Sequence, residues 1–204
     1  MRLAIFGATG RAGRVVVEQA LQSGHHINAL ARDPARVRPH AQVRVVGGDV
    51  RDPAAVARTL QGADAIVSTL GKRRRGPDAC TEGIRTVLSA SAHNGPRRLI
   101  ILSNYGVADS RHRTAYVATS WLLERAVLQD KEKMEALVNN SDTDWTVVRA
   151  PMLTNGPRTG QYRTGTDLRL SFAARISRAD LAEFMLTELH DNAYLRRAVA
   201  ITSG

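Results

Sequence analysis

The 204-residue chain holds a single cysteine, Cys80, and that scarcity removes two kinds of architecture at once. One thiol forms no intrachain disulfide and builds no cysteine metal cluster, so no metal is expected. Cys80 itself is expected as a buried or helix-start thiol. Nowhere do eighteen apolar residues follow one another, which excludes a membrane-spanning helix. The first residues carry no charged leader, apolar segment or small-residue cleavage site, so a soluble, cytoplasmic protein is expected. Repeats, low-complexity tracts and linkers are also missing. With 43% hydrophobic residues, the length suits one well-buried core and is short for two, so residues 1–204 read as a single domain.

Acidic residues are in short supply too: 19 Asp and Glu stand against 29 Lys and Arg, a formal charge of +10 with histidine neutral. Such an excess suits nucleic acid, a membrane surface or an anionic small ligand. No basic strand interleaved with aromatics and no recognition-helix motif accompanies the charge, so nucleic acid is not the expected partner. The cations gather instead at Arg11, Arg14, Arg32, Arg36 and the run Lys72-Arg73-Arg74-Arg75.

What is present is alternation. Apolar strand-like runs at 2–6, 26–31, 42–47, 64–70, 98–103 and 145–149 are separated by helical patterns near 11–23, 53–60, 78–94 and 121–140. Runs such as Leu99-Ile100-Ile101-Leu102 are apolar at consecutive positions, as burial on both faces demands. The pattern predicts an α/β fold, a Rossmann-like doubly wound parallel sheet. The last quarter differs: Pro151, Gly156, Pro157, Gly160 and Gly165 break any long element. Ser177-Arg178-Ala179-Asp180 then offers a capping box ahead of a helix over Leu181 to Leu189, and Val199-Ala200-Ile201 reads as a final strand.

Directly behind the first strand stands Gly7-Ala8-Thr9-Gly10-Arg11-Ala12-Gly13. Strand, glycine turn and helix start together bring a dinucleotide pyrophosphate against helix N-terminal amides. Gly7 permits the turn, Gly10 admits the phosphates, and Gly13 lets helix and strand pack closely. An ordinary glycine-rich loop is the bland alternative. At the end of the second strand, Ala31 stands where an acid selective for NAD would be expected and Arg32 follows, with Arg36 nearby. That pair suits the 2′-phosphate of NADP(H), the expected cofactor, unless it is simply solvated at a helix start. Asp33 is a rival acid, but it precedes proline and reads as a turn. Asp49 and Val50 follow the third strand and suit the adenine; Leu70, Gly71 and Arg73 follow the fourth and suit the nicotinamide-side ribose and phosphates. The basic run has its own alternative as a loop that repels itself.

The motifs Ile5 to Gly10, Leu30 to Asp33, Gly48-Asp49-Val50, Leu70-Gly71, Glu82 to Arg85, Gly160-Gln161-Tyr162 and Arg175 to Leu181 with Phe184-Met185-Leu186 resemble the atypical short-chain dehydrogenase/reductases. The resemblance is to their NmrA-like, NAD(P)-binding group and, within it, to the biliverdin IXβ reductase/flavin reductase branch. It implies an NADPH-dependent reductase passing hydride to a flat conjugated acceptor: a flavin, a quinone or a linear tetrapyrrole. A non-catalytic NADP(H)-binding redox sensor is the alternative the group also offers, and a monomer or weak homo-oligomer is expected. The Tyr-x-x-x-Lys pair of typical members is missing, since Ser120 stands four residues after Tyr116. Lys131 falls where relatives carry an active-site lysine or histidine, and is either catalytic or one of an exposed run, Asp130-Lys131-Glu132-Lys133. Ser103 is the second catalytic candidate, near the nicotinamide, unless Ser103 and Asn104 only shape the strand end. The acceptor side is expected in loops at about 105–120 and 151–176. There Asn104, Tyr105, Trp121 and Met152 are its candidate contacts, or core; Met152 replaces a histidine of the tetrapyrrole-reducing relatives.

Overall fold

The computed structural model describes residues 1–71, 78–92, 95–111 and 115–204. Ten strands and five helices follow in the order β1 (Arg2–Phe6), α1 (Arg11–Gln22), β2 (His26–Ala31), β3 (Val43–Gly47), α2 (Pro53–Leu60), β4 (Ala65–Ser68), α3 (Ala79–Ser91), β5 (Arg98–Asn104), α4 (Ala115–Asn139), β6 (Asp144–Ala150), β7 (Met152–Thr154), β8 (Tyr162–Gly165), β9 (Arg175–Ser177), α5 (Arg178–Asp191) and β10 (Arg197–Ser203). The main sheet runs β3-β2-β1-β4-β5-β6-β10-β8, parallel except for β8, which pairs antiparallel with β10; β7 and β9 form a separate parallel pair. Strand order reverses between β1 and β4, so a crevice opens at the carboxyl ends of those strands.

Consecutive apolar residues split between two cores, as the sequence required. Leu3, Ile5, Ile100 and Val148 pack with Val16 of α1 and Leu181 and Met185 of α5. Ala4, Phe6, Ile101 and Val147 pack on the other face with Val56 of α2, Ile84 of α3 and Met134 and Val138 of α4. The one polar residue inside β2, Asn28, is fully buried and donates to the carbonyls of Thr59 and Gln61 at 2.9 and 3.0 Å, closing the end of α2. Ser177 caps α5 by accepting from the Asp180 amide at 2.9 Å, while the Asp180 carboxylate reaches the Thr159 and Gly160 amides. That carboxylate ties the irregular stretch before β8 to the start of α5.

Two stretches differ from the sequence expectation. Residues 115–120 belong to α4 instead of an open loop; Val117, Thr119 and Ser120 are weak helix formers, and the burial of Val117 beside Tyr105 and Leu170 decides the matter. Helical geometry is interrupted at Glu124 (φ −124°, ψ 25°), three residues inside the expected helix start at 121. The stretch 151–176 contains β7, β8 and the start of β9, too short at three or four residues each to show a period.

Candidate active site

The turn after β1 shows what each glycine does. Gly7 has φ +88°, and a Cβ there would stand 2.8 Å from Thr69 Oγ1. Gly10 donates to the Gly7 carbonyl at 2.9 Å and occupies the N-cap of α1 without any capping side chain. A Cβ on Gly10 would meet only that carbonyl oxygen, at 3.1 Å, leaving the outer side of the turn open. Gly13 lies against the Gly7 carbonyl and Thr69, so helix and turn touch backbone to backbone. With no acid in its first turn, α1 presents unsatisfied amides and their partial positive charge to the crevice.

A cleft of about 260 Å³ runs from this turn over the strand ends. Gly7, Thr9, Gly10, Arg11 and Ala12 line it on one side, Arg32 and Arg36 at the end of β2, Asp49 and Val50 after β3, and Leu70 and Gly71 after β4. The sequence argument placed all of these at a cofactor. Gly13 lies beneath the turn, Ser103 is not part of the lining, and Arg73 falls outside the described residues. Sequence reasoning missed Arg51. Its guanidinium lies side-on to Asp49, with Nε to Oδ1 at 2.9 Å and Nη2 to Oδ2 at 3.3 Å, and lowers the Asp49 pKa. The available signal was an arginine, Arg51, two residues after Asp49. Arg32 and Arg36 are exposed and form no ion pair among the described residues. Asp33 accepts from the Ala35 amide at 3.2 Å and caps a short turn over 34–36.

At the carboxyl end of β5, Ser103 is 2% exposed and its hydroxyl has no hydrogen-bond partner among the described residues. Lys131 is the clearest departure from an exposed helix face. It is 4% exposed, and its Nζ donates to the carbonyls of Leu70 at 2.6 Å and Leu102 at 2.8 Å. Its neighbour Asp130 is buried as well and accepts from the Cys80 and Thr81 amides, capping α3. Burial works against the Asp130 charge, but those bonds outweigh it and hold the carboxyl below its ordinary pKa. Cys80 lines the cleft as a buried residue near the start of α3, its thiol pushed up by burial.

The acceptor-side residues separate. Tyr105 is core: 1% exposed, its hydroxyl accepts from the Leu170 amide at 3.2 Å, so it forms no open wall. A large aromatic next to a strand end is drawn inward by the area it buries. Trp121 is partly buried, donates to the Gly106 carbonyl at 2.8 Å and carries Arg111 over its ring at 3.9 Å. Met152 is 58% exposed at the head of β7, and Asn104 ends β5 half-buried.

The glycine turn, uncapped helix start and free arginines fit a dinucleotide, and the unpartnered Ser103 hydroxyl fits a further polar ligand. A family model described as NAD(P)H-binding matches residues 7–192. The chain belongs to the NAD(P)H-binding family. This agrees with the resemblance to the atypical, NmrA-like reductase group read from the motifs. Among curated relatives, an uncharacterized protein of Mycobacterium tuberculosis is 28% identical over 63% of this chain, which spans only 15% of that protein's length. The reductase pytE of Aspergillus terreus is 27% identical over 98% of this chain and 97% of its own. Among solved structures, ChuY, an anaerobillin reductase of Escherichia coli O157:H7, is similar in fold, with a TM-score of 0.86, 22% identity, and 100% and 97% of the two chains covered. Among the described residues, no helix is long and apolar enough to cross a membrane and no cluster of His, Cys, Asp and Glu is arranged to hold a metal ion.

Proposed function

We propose that this NAD(P)H-binding protein is an NADPH-dependent reductase of a flat conjugated acceptor: a flavin, a quinone or a linear tetrapyrrole. The observation that carries the reading is the single cleft joining the glycine turn to Arg32 and Arg36 at the end of β2. The full-length similarity to a reductase supports it.

In this reading the amides of Arg11 and Ala12 hold the pyrophosphate across the open face of Gly10, with Thr9 beside it. Arg32 and Arg36 hold the 2′-phosphate, which favours NADPH over NADH. Asp49, fixed by Arg51, accepts from the adenine amino group while Val50 packs on the ring. Leu70 and Gly71 carry the nicotinamide ribose, and Ser103 donates near the nicotinamide. When bound, NADPH supplies the hydride from its nicotinamide C4, so the protein's task is to align two flat rings and keep water from the wrong face. Asn104, Trp121 and Met152 border the acceptor, and solvent supplies the proton.

The test is anaerobic mixing of protein and NADPH with FMN, a soluble quinone or a linear tetrapyrrole, following the loss of reduced-nicotinamide absorbance, with NADH in parallel. NADPH-selective oxidation is expected with at least one acceptor. Tight NADPH binding without turnover on any of them would replace this reading by that of a redox sensor.

A further inference from the structure

The last paired residues of β4 and β5 are Ser68 and Ile101. Beyond them β4 leaves the sheet while β5 stays paired with β6 as far as Asn104 and Ala150. Two backbone carbonyls, of Leu70 and Leu102, lie beyond the last paired residues at the point of divergence; the Lys131 ammonium bridges both, and the Cys80 thiol also donates to the Leu70 oxygen at 3.6 Å. An ammonium withdrawn from water needs such acceptors, and two carbonyl dipoles supply them without a facing carboxylate. The same stretch of α4 fixes the start of α3. Asp130 accepts from the Cys80 and Thr81 amides and the Thr81 hydroxyl, and Lys133 donates to Asp78 at 2.9 Å. Leu70 and Gly71 line the cofactor cleft, and Ser103 directly follows Leu102.

We propose that Lys131 is a positioning residue, a tie between the diverging ends of β4 and β5 that sets Leu70-Gly71 and Ser103 under the nicotinamide half of the cofactor, and not the proton donor. The proposal rests on the cofactor-site reading above. It gives Lys131 no contact with the adenine half, which lies against residues from β2 and β3. Removing the tie should loosen one half of the site and spare the other.

The test compares wild type with Lys131→Met, which keeps the apolar stem, and Lys131→Arg, which keeps donors but does not titrate in the working range. Titrations with NADPH and with adenosine 2′,5′-bisphosphate are run on each, together with the pH dependence of turnover. Lys131→Met should weaken NADPH by about tenfold or more and slow turnover, since small misplacements of reacting groups are costly. Its affinity for the bisphosphate should stay within about twofold and the shape of its pH profile should not change. Lys131→Arg should recover part of both losses, and it carries the comparison alone if the methionine variant does not fold. A titrating limb lost from the pH profile, or NADPH affinity and rate both unchanged, would overturn the proposal. If wild type binds neither ligand, the cofactor-site reading fails instead; if wild type and variants bind both equally, only the role of Lys131 fails.

Discussion

Alanine at Gly10 and at Gly13 should fail in opposite ways. Gly13 is hemmed in by backbone: a Cβ there would stand 2.8 Å from the Gly7 carbonyl carbon and from Thr69 Oγ1, and closer still to the Gly7 oxygen. Against ordinary van der Waals contact at 3.4 Å the shortfall is at least about 0.6 Å, and neither the turn nor β1 can yield that without disturbing the sheet. Overpacking of this kind costs about 1–3 kcal/mol. For a chain of this length each kcal/mol moves Tm by about 2–4 °C, so Gly13→Ala should melt about 2–12 °C lower, with a reduced urea midpoint at unchanged m. Gly10 is different, because its φ of −73° and ψ of 168° suit any residue and its only near neighbour is one oxygen at 3.1 Å. Exchanging glycine for alanine at this N-cap should change stability by less than about 1 kcal/mol. The new methyl nevertheless enters the space proposed for the pyrophosphate. Thermal melts and NADPH titrations on both variants decide the matter. A Gly13→Ala protein as stable as wild type would refute the packing argument, and a Gly10→Ala protein with wild-type NADPH affinity would remove the phosphates from the turn.

Three further outcomes follow from the charged groups. Arg32→Ala should cost NADPH about 1.5–3 kcal/mol of binding, roughly 10- to 150-fold, and leave NADH nearly unchanged; equal losses in parallel titrations would take Arg32 away from the 2′-phosphate. Glu135→Ala strips the Arg149 guanidinium, 3% exposed, of its buried partner at 2.7 Å and leaves only Asp109, whose side chain is 77% exposed. The loss should be about 3–5 kcal/mol in urea unfolding, and a loss under about 1 kcal/mol would show that Asp109 suffices. His25 stacks on His190 near the N-terminal ammonium, and burial first, then those two neighbours, lower its pKa from 6.5. The fold therefore favours neutral His25, so its contribution is fully present above about pH 6.5 and is lost as pH falls through the depressed value. His25→Gln should flatten the acid side of the stability curve, and an unchanged slope in urea melts between about pH 5 and 7 would contradict this.

Strands β1, β2, β4, β5 and β6 are legible because burial on both faces leaves runs of apolar residues, a signal the chain carries locally, whereas β3, at the sheet edge with only Val46 buried, is legible from its valines. The glycine turn, Arg32 and Asp49 are legible for the same reason: each sits at a fixed offset from a strand end. By contrast β7 and β9 exist through their pairing with each other, 23 residues apart, and no local period announces them. Tyr105, which the sequence allows as acceptor contact or core, lies in the core, because proximity to a strand end says nothing about which way an aromatic turns. Lys131 shows a deeper limit. In the run Asp130-Lys131-Glu132-Lys133 charge reads as solvent, yet the residues fall on a helical stripe of Leu128, Lys131, Met134, Glu135 and Val138, all buried. The helical period puts Lys131 and Glu135 on the inner stripe, against the expectation that charge lies outside.

The two exceptions answer two different polar demands. Lys131 meets the carbonyls stranded where β4 departs from β5, and Glu135, one turn later, meets Arg149 on β6, the ladder partner of Ser103. An apolar stripe cannot satisfy stranded backbone groups or a buried guanidinium, whereas an ammonium and a carboxylate can. The parting of β4 from β5 and the buried Arg149 thus each create a polar demand that a charged residue on an otherwise apolar helix stripe satisfies.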